Sequence, residues 1–139
     1  MKIGIIGHAG DKFNEAGKLL ALKEINYILD TFKPDDVFVS GRCPMGGIDV
    51  WSEEQAIKRK IKTDIKVPIQ HVWDDEYGFK QRNLDIAQVS KRLYVILVSS
   101  YPENYNGMKF DYCYHCNATD HIKSGACWTA KKAKVLTIK

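Results

Sequence analysis

The chain has 139 residues, 45% of them hydrophobic and 27% charged, with a formal charge of 21 − 17 = +4. That size suits one domain and excludes any need for disulfide staples, because a chain this long buries roughly two-thirds of its unfolded surface. The composition excludes long disorder, and the mild basicity tolerates anionic ligands without by itself announcing nucleic acid. Met1-Lys2 leads straight into a strand-like run with no cleavage-site pattern, and no apolar run nears ~18 residues. The expectation is a cytosolic protein without a membrane span, a compartment in which clustered cysteines more often hold metal than disulfides.

Lys2 to Gly7 is a near-continuous apolar run closed by glycine, the pattern of a strand covered on both faces. Leu19, Leu20, Leu22, Ile25, Ile28 and Leu29 recur at helical spacing, which predicts a helix over 15–32, stopped at Lys33-Pro34. Asp36 to Ser40 predicts a second strand and 48–60 a second helix. Val67 to Val72 predicts a third strand, 79–89 a third helix and 93–98 a fourth, strongly apolar strand. Residues 100–123 are irregular. A short helix over 129–134 and a strand over 135–138 close the chain. Strand and helix alternate, so the expected fold is α/β: a parallel sheet of about five strands with helices on both faces, in a single domain spanning 1–139.

In such sheets ligands bind beyond the carboxyl ends of strands. Four segments lie there: Gly7-His8-Ala9-Gly10, Ser40 through Asp49, Trp73 through Gly78, and Ser99 through Gly125. In the second, Gly46-Gly47 lets backbone N–H groups approach an anion and then opens a helix with partial positive charge at its start. Asp49 would cap that helix or bond a ligand hydroxyl. The plainer alternative is a tight turn that needs glycine for conformation alone. Neither the Walker loop nor the dinucleotide Gly-x-Gly-x-x-Gly pattern is present. Ser124, Gly125 and Thr129 repeat the logic at the last helix, with an ordinary N-cap as the alternative. Arg82 and Asn83 sit near the start of the third helix, where arginine offers a planar fork for phosphate or simply faces solvent.

Cys113, Cys116, His121 and Cys127 fall at spacings of two, four and five intervening residues. Three thiolates and an imidazole are what a closed tetrahedral zinc site requires, and a structural site would clip the 100–123 insertion down. His115 is a rival to His121, and Cys43 could displace either. Tyr101, Tyr105, Phe110, Tyr112, Tyr114 and Trp128 cluster nearby. They either pack the insertion down or, one or two of them, stack on a base.

The order of motifs, Val-Ser-Gly-Arg-Cys-Pro-Met-Gly-Gly-Ile-Asp, then Tyr77-Gly78 leading to Arg82-Asn83, then Ser-Gly-Ala-Cys-Trp-Thr-Ala, resembles the SLOG superfamily of Rossmann-like nucleotide-binding domains. That superfamily includes Lonely Guy-type phosphoribohydrolases and DNA-processing DprA proteins, and the YspA/cpYpsA-related branch is the nearest match. The resemblance covers most of the chain outside 100–123. It implies that Ser40, Gly41, Met45, Gly46, Gly47 and Asp49 hold a nucleotide's phosphate and ribose. Arg82 and Asn83 would face the same cleft, Ser124, Gly125 and Thr129 would complete the phosphate site, and Gly7 and His8 would floor it. The phosphoribohydrolases carry a catalytic glutamate where this chain has Thr129, while Arg82 matches their catalytic arginine.

The leading expectation is a nucleotide-binding, homo-oligomeric protein with a zinc-ordered loop. Two alternatives are a nucleotide N-glycosidase using Arg82, with Asp49 as its candidate partner, and a module for single-stranded nucleic acid.

Overall fold

The computed structural model describes residues 1–67, 79–110, 112–133 and, for the backbone alone, 136–138. Its elements in chain order are β1 (Lys2–Gly7), α1 (Glu15–Asp30), β2 (Val37–Ser40), α2 (Ile48–Lys58), β3 (Lys62–Ile65), α3 (Phe79–Val89), β4 (Arg92–Ile96), α4 (Gly125–Lys132) and β5 (Leu136–Ile138). Among the described residues the sheet runs β3-β2-β1-β4-β5, every pairing parallel. The α/β expectation with a parallel sheet holds.

Alternation along the strands explains the layering. Side chains at successive strand positions point to opposite faces, so an apolar run feeds two cores at once. Ile5 and Phe38 pack with Ala21, Ile25, Ile28 and Leu29 of α1 and with Ile48 and Ala56 of α2. Their neighbours Ile6 and Val39 pack on the other face with Leu93, Val95, Ile86 of α3, and Ala126 and Ala130 of α4. Two helices therefore cover each face. Ile5 and Phe38 are wholly buried, and each such side chain contributes about 1.5–3 kcal/mol relative to exposure.

The third strand differs from expectation. It is Lys62–Ile65, in register with β2 through Lys62–Val37 and Ser40–Ile65. Val67 lies outside any strand and is exposed, and 68–72 lie outside the described residues. β3 is an edge strand, so it needs no two-sided apolar run, and its half-exposed Lys-Thr-Asp-Ile carries little of the signal that marks a covered strand. The last helix begins at Gly125 rather than at 129, because Ser124 caps it and the low helix propensity of glycine is harmless in the first turn. Between β4 and α4 the described residues hold no regular element, only the antiparallel bridge between Cys113 and Ala118.

Candidate functional site: a cavity at the strand ends beside a cysteine–histidine cluster

β1 and β4 are neighbours in the sheet, but the chain leaves β1 toward α1 on one face and leaves β4 toward α4 on the other. The rim between them is a topological switch point, where the connections diverge and leave a crevice. His8 spans it. Its ring Nδ1 accepts the Val98 N–H at 3.1 Å, and its Nε2–H donates to the Lys123 carbonyl at 3.1 Å. The ring is almost wholly buried, and that burial pushes its pKa down to about 4. His8 is thus a neutral strut with both nitrogens engaged, holding β1, β4 and the residue before Ser124 together.

The turn from β2 into α2 docks onto the same place. Ser40 is buried and its hydroxyl donates to the Ile5 carbonyl. Gly10 N–H donates to the Met45 carbonyl, and Ile48 N–H to the His8 carbonyl. Gly46 and Gly47 take positive φ, 75° and 86°. At Gly47 a Cβ would overlap the His8 carbonyl oxygen, so glycine is required there by both conformation and close approach. Gly47 is the N-cap position of α2 and offers no side-chain cap.

Asp49, expected as a cap or a hydroxyl ligand, is not the cap. It lies in the first turn, buried, with Oδ2 3.9 Å from Arg82 Nη1. Burial pushes its carboxyl up to about 6, against the opposing pull of Arg82 and a backbone hydrogen bond from the Cys43 region. Arg82 is itself buried. Its Nη1 donates to the Gly41 carbonyl and its Nε to Asn83 Oδ1, both at 2.7 Å, and its guanidinium lies 5.2 Å from the Phe79 ring centroid. The solvent-facing alternative for Arg82 is therefore excluded.

On the far side, Ser124 is the N-cap of α4, its Oγ accepting the Ala126 N–H at 3.1 Å. Thr129 is buried and its hydroxyl donates to the Gly125 carbonyl. Space around Gly125 is open: a Cβ there would meet nothing within 4 Å.

These walls enclose one cavity of about 420 Å³. Of the residues picked out in the sequence, Gly7, His8, Met45, Asp49, Arg82, Asn83, Ser124, Gly125 and Thr129 line it. Ser40, Gly41, Gly46 and Gly47 are not among its lining residues. Ser40 and Gly41 shape it through hydrogen bonds to the Ile5 carbonyl and from Arg82, and Gly46 and Gly47 set the turn into α2. The first turn of α2 reaches this space through Asp49, and the start of α4 opens into it through Ser124, Gly125 and Ala126. Sequence reasoning missed Lys12, Phe79, Met108 and Lys123 as lining residues. Lys123 adjoins the Ser124 cap and Lys12 follows β1, so position alone could have flagged both.

The insertion roofs the cavity. Tyr101 and Tyr105 stack at 4.6 Å between centroids, and Lys12 Nζ sits 4.7 Å over the Tyr105 ring. Lys123 Nζ lies 4.9 Å over Phe110 and 5.6 Å over Tyr114. Three cations, the start of α4 and one carboxylate, Asp49, therefore face the space among the described residues. Such a field favours an anion, and the aromatic roof favours a flat apolar group.

The cysteine cluster lies beside this cavity. The ligand atoms of Cys113, Cys116, His121 and Cys127 all fall within 4.8 Å of one another, and no disulfide joins them. His121 Nε2 is 3.5 Å from Cys127 Sγ. Metal–ligand bonds of about 2.0–2.3 Å put the corners of a tetrahedron roughly 3.5–3.8 Å apart, so the four residues fit one ion. Tight turns set the geometry: Cys113 N–H donates to the Ala118 carbonyl, and Cys116 N–H to the Cys113 carbonyl. His121 Nδ1 is 2.7 Å from Asp120 Oδ1, the outer contact that orients a ligating imidazole. Burial pushes the Cys113 thiol up, but backbone N–H groups of Cys116 and Ser124, with His121, outweigh it and bring the pKa down to about 7. Cys127 is pushed well up by burial and by the neighbouring sulfurs.

The rivals do not join this group. His115 tilts against the Tyr114 ring at 4.4 Å. Cys43 lines the cavity, in the field of Asp49 and Arg82. Among the described residues no helix is long and apolar enough to cross a membrane.

Compared with known proteins, the chain matches no family model, no curated protein and no solved structure.

Proposed function

We propose that the protein binds a nucleotide or nucleotide-derived metabolite in the rim cavity, and that the Cys113–Cys116–His121–Cys127 cluster is a closed structural zinc centre beside it. One observation carries this reading: the start of α4 and Asp49 of the first turn of α2 meet in a single cavity that also holds Lys12, Arg82 and Lys123 under an aromatic roof. Phosphate suits the start of α4 and the cations, a ribose hydroxyl suits Asp49, and a base suits the roof. Four protein ligands leave no open position on the ion, which favours a structural role over catalysis. The reading takes the protein to be a Rossmann-like member of the SLOG superfamily, cytosolic and homo-oligomeric. A thermal-shift series on zinc-loaded protein with AMP, ADP-ribose and NAD tests it. At least one should raise the melting temperature; no shift from any of the three counts against the nucleotide.

A second reading is favoured by Asp49 specifically. It is the sole carboxylate lining the cavity among the described residues, and its pKa of about 6 lets it hold or accept a proton near neutrality. With Arg82 beside it, this pair could serve N-glycosidic cleavage in the place of the glutamate that Thr129 replaces. Free adenine released from AMP, and abolished by Asp49→Asn, is the expected result under that reading.

A further inference from the structure

The cysteine cluster and the cavity share one short piece of chain. His121 and Cys127 bracket it, and Lys123, Ser124, Gly125 and Ala126 between them line the cavity. Cys127 is itself the third residue of α4, so one ligand rides on the helix whose start faces the cavity. The same piece is tied into the sheet rim: Ile122 N–H donates to the Val98 carbonyl, and the Lys123 carbonyl accepts from His8.

Helix α4 has only eight residues, too few to persist without tertiary support. Its inner face has that support through Ala126 and Ala130. Its first turn depends on the Ser124 cap and on where Cys127 is held. An ion is the one group that all four ligands could share. It would fix His121 and Cys127 relative to the Cys113–Cys116 turn, and so fix the five residues between them.

The opposite wall is built differently. Met45 is held by Gly10, and the start of α2 by His8 and the buried Ile48 side chain. None of these bonds involves a ligand of the cluster.

We propose that metal occupancy of the Cys113–Cys116–His121–Cys127 centre sets the affinity of the cavity for its anionic ligand, by ordering the Lys123–Ala126 wall while leaving the α2 wall unchanged. The ordering stands on the shared chain alone; its effect on affinity rests on the reading of the cavity as a nucleotide site. Coupling of this kind is reciprocal, so a bound anion also tightens the metal.

The test compares zinc-loaded protein with protein stripped by a chelator, with Cys116→Ser as a second metal-free form. Metal analysis of the loaded protein should find one ion per chain; none after loading overturns the proposal. Hydrogen exchange read by mass spectrometry should slow by about tenfold or more over 122–129 on zinc loading, with 43–50 unchanged. Equal exchange over 122–129 in the two forms overturns the proposal. So does loss of protection throughout β1 and β2 on stripping, because the ion then holds the whole fold rather than one wall.

Calorimetric titration with AMP, and separately with inorganic phosphate, should give affinities lower by about tenfold in the stripped form, within the usual range for coupled sites. Equal affinity in the two forms overturns the coupling and leaves the nucleotide reading standing. If the loaded form binds neither AMP nor ADP-ribose or NAD titrated in its place, the nucleotide reading is overturned, and the exchange comparison still decides whether the ion builds the wall.

Discussion

His8 and Asp49 face the same cavity and respond to acid in opposite ways. His8 has its pKa lowered by burial from 6.5 to about 4. The unfolded chain therefore binds a proton more readily, and this contribution to stability is lost as pH falls from 6.5 toward 4. Asp49 is raised by burial from 3.8 to about 6. Here the folded chain binds the proton more readily, so stability is gained as pH falls through 6 toward 3.8. Each effect is on the order of 3 kcal/mol, and the two nearly cancel. Replacing Asp49 by Asn removes one side of the balance. Relative to wild type, Asp49→Asn should lose about 3 kcal/mol between pH 7 and pH 4, as measured by urea unfolding across that range. A difference that does not vary with pH would show that Asp49 titrates normally.

Gly47 makes a second prediction at this scale. Its φ of 86° and the overlap of any Cβ with the His8 carbonyl leave no room for alanine. Gly47→Ala should destabilise the fold by about 2 kcal/mol or more. Gly46→Ala, with φ 75° but nothing within 4 Å of its Cβ, should cost less. Equal midpoints for the two variants in chemical denaturation would contradict the docked turn. The need for glycine in this corner was legible in the Gly-Gly pair. The role of His8 was not, because a histidine in a loop shows nothing of the Val98 and Lys123 groups that the fold brings to its ring.

Among elements, legibility followed how much of each is covered. α3 falls at 79–89 as its spacing predicted, and β1 and β4 were marked by apolar runs because helices cover both their faces. β3 was missed because an edge strand needs no such run. The start of α4 was placed four residues late, since Gly125 hides a helix start whose evidence is the Ser124 cap. The cysteine spacing pointed to a metal loop, and the four ligand groups do converge. The order of the sequence already ran the cluster into the Ser124–Gly125 helix start, and His121 and Cys127 flank that piece of the cavity wall.

Metal removal should therefore act on this element first. If zinc is present at about a thousand times its dissociation constant, it adds roughly 4 kcal/mol, on the order of 10 °C in melting temperature for a chain of this size. Chelation should lower the midpoint of a thermal scan by that order. A midpoint unmoved by chelator would argue that the cluster holds no ion.

For the whole molecule, parallel α/β architecture was readable from the alternation of strands and helices, and the switch point follows once β4 lies beside β1 rather than beside β3. That neighbour choice depends on long-range pairing, which local pattern does not carry. It is also what brings Met45 and Gly125 to one cavity instead of to opposite edges. The roof of Tyr101, Tyr105, Met108 and Phe110 was beyond sequence reasoning as an assembly, because an irregular segment has no period to say which side chains turn inward.

The central claim is that the start of α4 receives a negative charge from a ligand, and Gly125→Asp tests it most directly. Aspartate in a first helical turn favours the helix, and the open space at Gly125 accepts the side chain, so the variant should fold with undiminished stability. Calorimetric titration of zinc-loaded wild type and Gly125→Asp with AMP and ADP-ribose should show binding of at least one nucleotide to the wild type and a loss of about tenfold or more in the variant. Equal nucleotide affinity in the two proteins, or none in the wild type, would contradict the claim.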